Sequence, residues 1–115
     1  MADHYTVIVR AAGRVRKQQH RGLDDALAAI EREGREFERG ADGRPEGGTL
    51  IRRLEPVQMV VARLELSGPR RLRAGVDVRG DGSSEAFVGR LRRQVVEQRD
   101  RESAYDALRR SLTLA

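Results

Sequence analysis

The stretch Tyr5-Thr6-Val7-Ile8-Val9-Arg10 alternates in polarity and places Tyr5, Val7 and Val9 on one side of a predicted strand. Its β-branched content suits that conformation. Ala12-Gly13 predicts a tight turn, and Arg14 to His20 a more polar partner strand. After Gly22 the period changes. Leu23, Leu27, Ile30, Gly34 and Phe37 recur at spacings of three and four, one apolar stripe of an amphipathic helix. Asp24 is the expected N-cap, and Asp25 adds a charge that favours the helix start.

Residues Gly40 to Thr49 hold four Gly and Pro45 with no periodic pattern, so residues 40–49 are expected to be a flexible linker. Leu50 to Leu54 and Val57 to Leu66 follow, separated by a segment in which Pro56 starts or borders a strand. Val60, Ala62, Leu64 and Leu66 share one side of that strand. Ser67-Gly68-Pro69 is a turn, after which Leu72, Ala74, Val76 and Val78 alternate with Arg71, Arg73, Gly75, Asp77 and Arg79. This predicts a second hairpin. Gly80 to Ser84 then breaks it and caps an expected helix with Phe87, Val88, Leu91 and Val95 on its apolar stripe. Ser103 to Asp106 resembles a capping box with Asp in place of Glu. A last helix turns Ala104, Leu108 and Leu112 inward, with Tyr105 at its edge.

The expected architecture is therefore one α+β domain over residues 1–115. Its order is β-β-α (5–39), linker (40–49), then β-β-α with a terminal helix (50–115). A four-stranded antiparallel sheet with the helices packed on one face is the economical arrangement for two such units. The same order is a circular permutation of the ferredoxin-like β-α-β-β-α-β string, a likeness of topology alone.

Composition then narrows the chemistry. Among 115 residues, 38% are hydrophobic and 36% charged, and Cys and Trp are absent. Without Cys there is no disulfide scaffold, thiolate zinc site or cysteine nucleophile. No apolar run approaches the roughly 20 residues of a membrane span, and the N-terminus lacks a signal-peptide pattern, so a soluble cytoplasmic protein is expected. The net charge is +5, and of the 23 cations all but Lys17 are Arg. Arginine suits phosphate and carboxylate recognition. A GC-rich genome gives the same excess, so only the placement of the charges is informative.

By parity, the sheet face turned from the helices should show Thr6, Ile8 and Arg10, then Arg14, Arg16 and Gln18, then Val57, Met59, Val61 and Arg63, then Arg71, Arg73 and Arg79. Ile8, Val57, Met59 and Val61 form its expected apolar centre. The third strand is then apolar on both sides, as a central covered strand is. An apolar patch of this kind is covered either by a second copy or a protein partner, or by the terminal helix crossing over. Arg14, Arg16, Arg71, Arg73 and Arg79 are the candidate anion or nucleic-acid contacts. The aromatic platform of single-strand readers is missing, because Phe37, Phe87 and Tyr5 share parity with core residues.

The loop Asp77 to Ser84 leads toward the expected helix start, where free amides suit an anion, but no Walker lysine accompanies it. Asp77, Asp81 and Glu85 do not follow an EF-hand order, so no metal is expected. Neither His4 nor His20 is placed as an oriented base, and no Ser sits in a nucleophile elbow. The sequence thus predicts no catalytic residue, metal or cofactor. It points to a non-enzymatic domain that docks a protein or itself, with low-specificity nucleic-acid binding as the alternative.

Overall fold

The computed structural model of the chain describes residues 4–41, 59–89 and 91–113. Strands β1 (Tyr5–Ala11) and β2 (Arg14–His20) form the predicted hairpin. Its two turn residues, Ala12 and Gly13, both hold positive φ, 53° and 75°. A type I′ turn demands this, because its twist matches that of the flanking strands. Helix α1 (Leu23–Gly40) follows, and its Ala26, Leu27, Ile30 and Gly34 are buried along the expected stripe. The N-cap is Gly22 rather than Asp24, which instead joins Asp25 in the first turn, beside the exposed amides of the helix start.

The second half departs from expectation. Strands β3 (Val60–Gly68) and β4 (Leu72–Arg79) form the predicted hairpin. The next elements are two further strands, β5 (Ser84–Val88) and β6 (Gln94–Val96), where a helix was expected. Helix α2 (Ala104–Thr113) closes the chain. The sheet therefore has six antiparallel strands, in the order β2-β1-β3-β4-β5-β6, instead of four. Among the described residues four strands separate the helices, which is not the order that suggested a permuted ferredoxin-like arrangement.

The reason lies in β4. Residues Ala74 to Val78 are all buried, on both sides of the sheet. A strand covered in this way needs a neighbour on each edge. β3 supplies one and β5 the other, with Ala86 buried on the helix side and Phe87 on the opposite side, against Gly75.

Both helices lie on one face, as expected. α1 crosses β1, β3 and β4, α2 crosses β4, β5 and β6, and the two touch each other. Between helices and sheet, Val7, Val9, Leu64, Leu66, Val76 and Val78 meet Leu27, Ile30, Tyr105 and Leu108 in one core. The capping box at α2 forms as read. The Ser103 backbone N–H donates to the Asp106 carboxylate (3.1 Å), and the Asp106 N–H to Ser103 Oγ (3.0 Å). Tyr105 is buried rather than at the edge. Its ring fills the space left by Gly34 of α1, where an added Cβ would stand 2.1 Å from the hydroxyl. None of the helices described is long and apolar enough to cross a membrane.

Candidate functional site

The face of the sheet opposite the helices can be laid out row by row from the strand registers, since directly paired residues project to the same side. The first row is Gln19, Thr6, Ser67 and Arg73. The second runs Lys17, Ile8, Glu65, Gly75, Phe87 and Val95. The third is Val15, Arg10, Arg63, Asp77 and Glu85. At the far end Val60 faces Arg79 across the register shift that separates Val60 from Ala62.

This layout corrects the sequence-based face. Ala11 pairs with Arg14, Val9 with Arg16 and Val7 with Gln18, so these three β2 residues stand on the helix side. Arg16 accordingly reaches α1, where it donates to Glu33 at 2.6 Å. The signal was present in the sequence. A two-residue turn at Ala12-Gly13 fixes the register, and a shift of one position reverses the whole strand. Ile8, Arg73 and Arg79 do lie on the helix-free face. Val61, the unpaired residue at the register shift, is half-buried and packs against the core, and Met59 is half-buried just before β3, with its carbonyl accepting from the Gly80 N–H (2.8 Å). Val57 falls outside the described residues. Arg71 lies in the turn over Pro69–Arg71, between β3 and β4.

The middle of the face is charged and internally neutralised rather than apolar. Arg63 grips Asp77 with two hydrogen bonds of 2.6 and 3.1 Å, a bidentate contact that raises the guanidinium pKa further. Glu65 accepts from Arg10 (2.5 Å) and Arg93 (3.4 Å), and Arg79 donates to Glu85 (3.0 Å). Phe87, 5% exposed, lies flat over Gly75, where a Cβ would meet its ring at 2.6 Å. The Arg93 guanidinium covers the ring at 4.7 Å. This aromatic does not offer a free stacking surface.

Two of the exposed apolar side chains, Val15 and Val60, lie at one end of the face. Val15 and Val60 line one shallow groove of about 480 Å³ with Ala12, Val61, Arg10 and Arg63. At the opposite end a cleft of about 300 Å³ is lined by His4, Thr6, Ser67, Arg71 and Arg73, with no carboxylate among the described residues that line it.

The Asp77 to Ser84 loop is a structural turn. Arg79 N–H donates to the Ser83 carbonyl, and Asp81 accepts from both the N–H and the hydroxyl of Ser83. It leads into β5, not a helix, so the expected helix-end amides are missing there. Among the described residues no cluster of His, Asp and Glu is arranged to hold a metal ion.

One polar junction was not anticipated. Glu38 of α1 accepts at one carboxylate oxygen from the Tyr105 hydroxyl of α2 (2.6 Å) and the Ser84 hydroxyl of β5 (2.5 Å). Burial and the Glu38 carboxylate push the Tyr105 pKa up, so its proton stays in place. Gly34 on the apolar stripe was the available clue, because a glycine there admits a close neighbour.

Comparison of the chain with protein-family models, with curated proteins and with solved structures finds no match.

Proposed function

We propose that the chain is a non-enzymatic, cytoplasmic docking module that pairs with a second copy of itself through the helix-free face of its sheet. One observation carries the reading. Among the described residues four large apolar side chains are exposed, and three of them, Val15 (50%), Val60 (40%) and Val95 (55%), lie on this face. The fourth, Leu91, is in the β5–β6 connection. Scattered exposed valines are ordinary on a surface, but three of the four stand on the face without helices, Val15 and Val60 at one end and Val95 on the far edge strand, and exposed apolar side chains on one face suit an interface.

The charges on the face support a like partner. Arg10, Arg63, Arg79 and Arg93 alternate with Glu65, Asp77 and Glu85. In a twofold pairing these already paired charges would meet their own copies, so none of them is buried without a partner. The same ion pairs weaken the nucleic-acid alternative, because these arginines already have carboxylate partners. Replacement separates the two readings. Val60→Asp should abolish pairing and leave the circular dichroism spectrum unchanged. Arg71→Gln with Arg73→Gln should leave the mass in solution unchanged. Salt-sensitive retention of single-stranded DNA that this double variant loses would favour the alternative.

A further inference from the structure

We propose that the cleft at the first row of the sheet, which no carboxylate of the described residues lines, is a binding site for a phosphate monoester, held by Arg71 and Arg73 with the hydroxyls of Thr6 and Ser67. The cleft joins the start of β1, the end of β3 and the start of β4, and its volume of about 300 Å³ admits a phosphate group with part of its substituent. His4, Thr6, Ser67, Arg71 and Arg73 line it.

The argument rests on the contrast between these arginines and the others of the sheet face. Arg10, Arg63, Arg79 and Arg93 each have a carboxylate within 3.4 Å. Arg71 and Arg73 have none, and no side-chain hydrogen bond of either is present among the described residues. The Thr6 and Ser67 hydroxyls are equally uncommitted. They sit beside Arg73, since Thr6 pairs with Ser67 and Ser67 with Arg73 across the strands. Two guanidiniums without a local acid carry the charge that a dianion neutralises, and their planar forks match its oxygens. A phosphodiester carries a single charge and matches less well.

Residue choice at the turn points the same way. Arg70 and Arg71 both hold left-handed backbone, with φ of 59° and 61°. Glycine or asparagine is the ordinary occupant of such positions. The turn conformation therefore does not account for arginine at either position, and of the two it is Arg71 that lines the cleft. The site lies at the opposite end of β1 and β3 from Val15 and Val60, so it stands or falls independently of the pairing proposed above.

The test is a titration of the isotope-labelled full chain with inorganic phosphate, followed by nuclear magnetic resonance. Saturable shifts confined to Thr6, Ser67, Arg71 and Arg73 are expected. Arg71→Gln with Arg73→Gln should weaken binding at least about tenfold, with an unchanged melting temperature. Glycerol phosphate and a phosphoserine peptide, titrated in parallel, distinguish a free ester from a modified side chain by which binds more tightly. Shifts spread evenly over surface cations such as Lys17 and Arg32 would overturn the proposal. So would equal binding by the double variant, or tighter binding of an unphosphorylated oligonucleotide through the same residues.

Discussion

Tyr105 shows how much of this fold hangs on single contacts. Its ring occupies the space over Gly34, and its hydroxyl ties α2 to Glu38 of α1. Tyr105→Phe keeps the ring and removes the donor to a charged acceptor, a loss of about 1.5–3 kcal/mol by the strength of such bonds. Gly34→Ala pushes a methyl into the ring, an overpacking cost of about 1–3 kcal/mol. Urea unfolding of the two variants measures both, and a shift below 0.5 kcal/mol in each, on the order of surface substitutions, would contradict this account.

Glu102 gives the pH counterpart. The Arg110 guanidinium and the Arg99 N–H hold its carboxyl at about 2, below its ordinary value of 4.5. Both folded and unfolded chains carry the ionised group above 4.5, so its contribution is complete there. Between 4.5 and about 2 the unfolded chain takes up the proton first, and the stabilisation is lost. Thermal melts over this window should fall more steeply for the parent chain than for Glu102→Gln. Parallel curves would remove Glu102 from the acid response.

At the scale of elements, sequence periodicity identified β1, β2, α1, the β3–β4 hairpin and α2, because each has a single consistent period and a recognisable end. It misread residues 84–96. Phe87, Val88, Leu91 and Val95 fall at spacings that a helix stripe and two short strands both satisfy. What decides is tertiary. β4 is buried on both sides and requires β5 at its edge, and no local pattern reports this need. Gly89, with φ of 117°, marks the end of β5, and a Cβ there would meet the Arg92 carbonyl at 2.2 Å.

The β2 face was a different kind of miss. The two-residue turn imposes a register that places Arg14 and Arg16, two of the five expected cationic contacts, on the helix side. The turn itself yields a prediction. Ala12 holds φ of 53°, which costs a Cβ-bearing residue about 1–2 kcal/mol. Ala12→Asn, which tolerates that region, should raise stability by about 0.5–1 kcal/mol with the hairpin unchanged. An unchanged or lower midpoint in urea would mean that the strain is relieved elsewhere.

At the scale of the whole molecule, two helices cover one side of a six-stranded sheet, and no described helix covers the other. Sequence parity located that face and put Ile8, Arg73 and Arg79 on it. Its character differed from expectation, because cross-strand ion pairs depend on register and were invisible in a linear pattern. Around Phe87 the face is a charged lattice, with exposed valines at Val15, Val60 and Val95. Burial of these side chains is what a second copy would gain, at roughly 25 cal/mol per Å² of apolar surface. The direct test is sedimentation equilibrium of the full chain over a wide range of concentration. The account predicts a mass rising to twice 12.9 kDa, and a Val60→Asp chain that remains at 12.9 kDa. A parent chain that stays at 12.9 kDa at every concentration would contradict it.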